Sequence, residues 1–298
     1  MVRGYLYSLL AVVLWSVNFV IADIVSSKIT PIELSFYRWL IAFVVLFPFM
    51  RSALNSVRSI VKDRAMLWSF ITASLLGIST FNTLIYIAGR YTSSINMSLI
   101  AVTSPVFITV INRIFCGRPV RVITWFGVLL ATVGCVVLIT KGNLAILTRL
   151  KISFGDILML LAAISFSVYA VVQRIPKGMT HVEYLFLMIF VGLVALLPFY
   201  LTDMFLGNSL PVNLTTLSYI LYLGIFSSLV AFYLWNRSIG IIGSMQAVVA
   251  YYLLPVFVFL IDYIAFRTKL NNLIVSSFLL IFGGVMIIHF TRHEKRTN

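Results

Sequence analysis

Apolar residues run along this chain in ten long stretches, separated by short segments where Arg, Lys, Gly, Pro, Asn and Ser collect. The stretches fall at roughly residues 4–23, 33–50, 67–88, 93–115, 122–140, 155–174, 183–201, 216–236, 243–265 and 271–290. Each is close to the roughly 20 residues with which an α-helix crosses a hydrocarbon core about 30 Å thick. Backbone groups in lipid must be satisfied within the segment, which a helix achieves. The expected fold class is all-α integral membrane, with ten transmembrane helices. The segments 51–66, 141–154 and 202–215 are the longest connections and are expected to be loops. The first stretch lacks an Ala-x-Ala cleavage pattern and is read as a retained span.

The pattern also repeats. At a shift of 151, Gly4 falls on Gly155, Ser16 on Ser167 and Val17 on Val168. At a shift of 150, Glu33 meets Glu183, Phe36 meets Phe186, and Pro48-Phe49 meets Pro198-Phe199. At that same shift Pro105-Val106-Phe107 meets Pro255-Val256-Phe257, and Gly134 meets Gly284. Two units follow, residues 1–150 and 151–298, each of five helices. Because five is odd, the second copy crosses the membrane in the opposite sense. Inverted repeats of this kind build many secondary transporters, with the substrate site near the midplane between the copies.

Composition adds to this picture. The chain is 61% hydrophobic and 10% charged, whereas a soluble domain is about half apolar and a quarter charged. Ten spans use about 200 residues, which leaves no soluble domain. The net charge of +14 is carried mainly between the spans, so it signals topology and no nucleic-acid partner is expected. With a cytoplasmic N-terminus, Lys and Arg favour the inside loops about two to one. Both termini are therefore expected in the cytoplasm, in a multi-pass protein of the inner (plasma) membrane. Cys116 and Cys135 form no CxxC pair, and His181, His289 and His293 have no metal-ligand spacing. No Ser-His-Asp, HExxH, Walker or GxGxxG pattern is present. The expectation is a non-enzyme without metal or cofactor.

Several ordered motifs go further. The first stretch carries Leu14-Trp15-Ser16-Val17-Asn18-Phe19-Val20 and the second Phe36-Tyr37-Arg38-Trp39. The turn before the fourth reads Arg90-Tyr91-Thr92-Ser93-Ser94, and Pro105 and Pro255 mark each copy. Together they resemble the drug/metabolite transporter superfamily, in its ten-helix EamA-type branch, over about residues 5–290. The chain departs from that pattern at Asp23, Gly117 and Arg267. The resemblance implies transport of amino acids, other small metabolites or toxic organic compounds. The resulting expectation is an exporter of small organic metabolites such as amino acids, working by alternating access. A lipid or lipid-linked sugar flippase and a non-transporting scaffold are the alternatives; homo-oligomerisation stays open.

Polar groups inside a bilayer are costly and turn toward a partner or an aqueous cavity. Asn96 and Gln246, matched at a shift of 150, each precede a matched proline by nine residues. They are expected either to form a symmetric polar site near the midplane or to bond neighbouring helices. Pro105 and Pro255 each remove a backbone donor and are candidate hinges. Trp15 and Asn18, with Tyr169 in the other copy, either line a cavity or pack. Asn82, Tyr86, Trp235 and Tyr251 add amphipathic groups for contact with an apolar or aromatic solute, or for interfacial belts. Arg38, about five residues into its span, either binds a substrate carboxylate, pairs with Glu33 or Asp23, or snorkels to the interface. Glu33 and Glu183 sit at helix starts, where the helix dipole favours negative charge.

Overall fold

The computed structural model describes residues 1–25, 29–115, 117, 121–140, 153–207, 213–266 and 272–290. Arg267, Cys116 and the side chain of Asp262 lie outside the described residues. Eight helices are long and apolar enough to cross a membrane, and two shorter apolar helices bring the described set to ten. Five occupy each copy. The first copy has Val2–Val25, Pro31–Leu46, Arg64–Ala88, Ser94–Phe115 and Val122–Thr140. The second has Phe154–Val172, His181–Phe205, Leu214–Ile242, Ser244–Phe266 and Asn272–Phe290. They are called the first to tenth helices below.

Local chemistry sets several ends. Thr30 caps the second helix by accepting from the Glu33 N–H at 3.1 Å, with Pro31 in the first turn. Thr180 and Glu183 form a reciprocal capping box on the seventh. Glu33 and Glu183 thus stand at helix starts, where orphan N–H groups need an acceptor.

The copies are inverted, and contacts between them display it. Thr30, before the second helix, donates to Asp203 near the end of the seventh. Glu183, at the start of the seventh, accepts from Ser52 and from Ser56 at 3.4 Å, just beyond the second. The second and seventh helices, equivalent in the two copies, therefore lie side by side and antiparallel. Helices also exchange partners between copies. The first helix runs antiparallel to the eighth, with Ser238 Oγ bonded to Gly4 O at 2.8 Å and Tyr222 OH to Leu14 O at 3.1 Å. The sixth runs antiparallel to the third, with Ser165 Oγ bonded to Leu76 O at 2.9 Å. The matched glycines Gly4 and Gly155 mark these contacts. A Cβ at Gly4 would meet Ile242 at 2.6 Å, and one at Gly155 would meet Ala88 O at 2.9 Å.

Three features differ from the sequence expectation. Residues 50–61 form a helix, Met50–Val61, where a loop was expected. Its buried Ala53 and Ile60, seven residues apart, pack inward while Arg58 stays on the outer side. That is the i, i+7 spacing of an amphipathic helix, hidden in sequence by the charges around it. The third and eighth helices each contain π-helical turns, at Leu75–Thr80 and Leu223–Val230. The fourth and ninth helices are interrupted ahead of their prolines.

The fifth and tenth helices pack through small residues, as close helix approach in lipid requires. A Cβ at Gly284 would lie 2.5 Å from Ala131 N and 2.6 Å from Gly127 O. A Cβ at Gly283 would have Leu130 Cδ2 as its nearest neighbour, at 3.6 Å. Gly284→Ala is expected to destabilise the detergent-solubilised protein by roughly 1–3 kcal/mol, the usual cost of overpacking. Gly283→Ala should leave the melting temperature near wild type. Equal shifts in the two variants would exclude this interface.

Candidate functional site

Arg38 lies two turns inside the second helix and is completely buried. Its Nε donates to Ser228 Oγ at 2.6 Å. Its Nη1 donates to Asn18 Oδ1 at 3.1 Å, Asn82 Oδ1 at 2.9 Å and the Tyr86 hydroxyl. Its Nη2 reaches Ser227 Oγ at 3.3 Å. The guanidinium carbon also sits 5.2 Å from the Trp39 ring centroid and 5.6 Å from that of Tyr86. Every one of these partners is neutral. Neither acid named as a possible partner is among them. Glu33 takes the Thr30 hydroxyl at 3.2 Å, and Asp23 accepts from Ser94 N–H at 3.0 Å. Nor does Arg38 snorkel, since no part of it reaches the surface.

The same network is half repeated in the other copy. Tyr86 OH donates to Asn18 Oδ1 at 2.8 Å, tying the third helix to the first. Tyr169 OH donates to Asn236 Oδ1, tying the sixth to the eighth. Asn18 matches Tyr169 at a shift of 151, and Tyr86 matches Asn236 at a shift of 150. The two latches are symmetry mates with tyrosine and asparagine exchanged. Arg38 has no such mate, because Met188, fully buried, stands at the matching position.

The π-helical turns explain several other polar residues. A π turn holds one extra residue and disrupts the regular ladder, so a carbonyl needs a new donor. Asn82 Nδ2 supplies one to Gly77 O at 3.3 Å, and Ser165 Oγ supplies Leu76 O. In the other copy Trp15 Nε1 supplies Ser227 O at 3.0 Å.

Trp15 is also the centre of an aromatic box between the copies. Its ring lies 5.6 Å from Phe166, 5.3 Å from Phe232, 5.2 Å from Trp235 and 6.0 Å from Tyr251. Phe166 stacks on Tyr251 at 4.9 Å. The first, sixth, eighth and ninth helices all contribute. Within and beside the box, Trp235 Nε1, Tyr251 OH and Asn236 Nδ2 are buried without a hydrogen-bond partner. Orphan donors in a low-dielectric interior are expensive and mark places where a ligand can bond.

Of the residues singled out from the sequence, Trp15, Asn18, Arg38, Asn82, Tyr86, Tyr169, Trp235 and Tyr251 are gathered in this region. Asn96 and Gln246 are not. Asn96 stands in the first turn of the fourth helix, beside its cap Ser93. The next residue after that cap, Ser94, bonds Asp23 near the end of the first helix. Gln246 Oε1 accepts from Tyr5 OH at 3.0 Å, near the start of the first helix. Tyr5 and Asp23 are separated by about 27 Å at 1.5 Å per residue. Inversion sends matched residues to opposite faces unless both lie at the midplane, so the two amides cannot share one site. Pro105 and Pro255 each fall second in a new helical segment, Ser104–Phe115 and Leu254–Phe266. There a missing N–H costs nothing. Ser227, Ser228, Phe232 and Asn236 escaped the sequence reading. Asn236 was accessible through its alignment with Tyr86, but serines and phenylalanines in an apolar helix carry no signal of their own.

The fold, the inverted copies and the polar cluster between them define a membrane transport protein. Residues 2–140 and 153–290 each match the EamA-like transporter family, and the chain belongs to that family. It is 25% identical, over 98% of its length and 99% of the relative's, to a protein of Archaeoglobus fulgidus described as an uncharacterized transporter. It is 26% identical to the uncharacterized transporter YyaM of Bacillus subtilis, over 73% of this chain and 72% of that one. A solved crystal structure superposes with a TM-score of 0.71 at 20% identity, covering 97% of this chain and 98% of the other, and supports the fold.

The two tyrosines separate latch from site. Tyr169→Phe leaves Asn236 Oδ1 without its donor and is expected to destabilise the solubilised protein by about 1 kcal/mol. Tyr251→Phe removes a hydroxyl that is already orphaned and should be neutral or stabilising in the same melting measurement. The reverse order would assign the latch to the wrong pair.

Proposed function

We propose that this protein is a secondary transporter that exports small organic metabolites, amino acids foremost, across the inner membrane by alternating access. The observation that carries this reading is the set of orphan donors at Trp235, Tyr251 and Asn236 next to the buried Arg38. They stand where the two copies meet and near the middle of the first helix, the depth at which inverted-repeat transporters bind substrate. Bending at the interruptions ahead of Pro105 and Pro255 would open the site to one side and then the other.

Counterflow in proteoliposomes, with a panel of labelled amino acids, tests the reading. Saturable exchange of at least one member is expected, reduced severalfold in a Pro105→Ala, Pro255→Ala double variant that still folds. Absence of flux across the panel would remove amino acids as the substrate class. Both termini are proposed to be cytoplasmic, so green fluorescent protein fused at either end should fluoresce in intact bacteria. A dark fusion at one end would overturn the two-termini-inside topology.

The flippase alternative has one observation in its favour. A cavity of about 480 Å³ lies between the third, fourth and sixth helices, lined by Ala65, Thr72, Ile111 and Val168, with Trp68 and Arg174 on its rim. Translocation of a fluorescent phospholipid by the same proteoliposomes would move the assignment to that reading.

A further inference from the structure

We infer that the substrate is recognised as an anion: its carboxylate is the missing counter-ion of Arg38. The inference rests on the transporter reading above and names the substrate class of that site.

Three observations carry it. The first is the uncompensated charge. Arg38 is fully buried among Ser, Asn and Tyr oxygens, and a lone cation in a low-dielectric interior demands an anion in some state of the cycle. The other described acids nearby are committed to helix ends. Glu183 and Asp156 close capping boxes with Thr180 and Ser153, Glu33 takes the Thr30 hydroxyl and Asp23 the Ser94 N–H. Moving one to Arg38 would break these bonds.

The second is that the charge belongs to one copy only. The Tyr169–Asn236 latch repeats the Tyr86–Asn18 latch, but Met188 stands at the position matching Arg38 and Phe232 at that matching its partner Asn82.

The third is the geometry of the donors. A guanidinium has five N–H groups and binds a carboxylate through two parallel ones. Nη2 makes a single long bond, 3.3 Å to Ser227 Oγ, so one of its hydrogens is uncommitted. Ser227 also joins the charge to the aromatic box, because its carbonyl takes Trp15 Nε1. A carboxylate on Nη2 therefore sets the organic body of the solute beside Trp15 and Phe232. Among the described residues no carboxylate is a partner of Arg38, and none takes part in the aromatic box.

The test uses the wild-type full-length protein in proteoliposomes. Labelled leucine, phenylalanine and their 2-oxo acids are offered for counterflow, with the matching amino-acid amides as competitors and, labelled, as cargo. The 2-oxo acids, which keep the carboxylate, are expected to exchange as the amino acids do. The amides should be about ten- to hundredfold weaker, the loss expected for a bond to a charged group. Arg38→Met, which removes the charge, should lose acid flux. Amides carried as well as acids would overturn the inference and leave the transporter reading intact. No exchange of any acid, amino acid or amide would overturn both. If Arg38→Met does not fold, the wild-type comparison of acid with amide still decides.

Discussion

Lipid offers a polar group nothing to bond, and the rest of this structure follows from that constraint. Regular helices meet it for most of the backbone. Where the third and eighth helices widen into π turns, side chains from other helices meet it instead. Ser165 answers Leu76 O across one interface and Trp15 answers Ser227 O across the other. The polar contacts that stitch the two copies together are thus the same ones that make irregular backbone tolerable at membrane depth.

Inversion then distributes these contacts. The first helix packs on the eighth and the sixth on the third, so neither copy buries its own polar seam alone. Each copy has its own tyrosine–asparagine latch, third helix to first and sixth to eighth, with the two residue types exchanged between the copies. Symmetry makes the departures informative. Arg38 stands against Met188 and its partner Asn82 against Phe232, so a buried polar cluster in one copy matches an apolar one in the other.

Much of the architecture was legible beforehand. Apolar stretches near 20 residues, the paired glutamates and the paired prolines led to ten helices in two opposed copies, since period and length alone govern membrane insertion. Eight of ten candidate binding residues gather at the interface, because intramembrane polar residues are rare and have few other uses. Asn96 and Gln246 do not meet in one site, for a geometric reason, and Gln246 takes the other expected role by bonding Tyr5 of a neighbouring helix. Alignment reports that two residues are equivalent, and inversion makes equivalent residues distant unless they lie at the centre. The helix at 50–61 was missed because its apolar positions are few and lie among basic residues.

The sequence by itself determined the solvent of this protein, the number of its helices, the opposed sense of its two copies and the identity of its rare buried charge. These depend on composition and spacing along one dimension. The tertiary structure alone decided which polar groups are spent on the backbone and which are left over. Trp15 is consumed by a π-turn carbonyl, whereas Trp235 and Tyr251 remain orphaned, and Arg38 is surrounded but not neutralised. That outcome depends on which helices face one another across the two copies, a relation that no local pattern encodes.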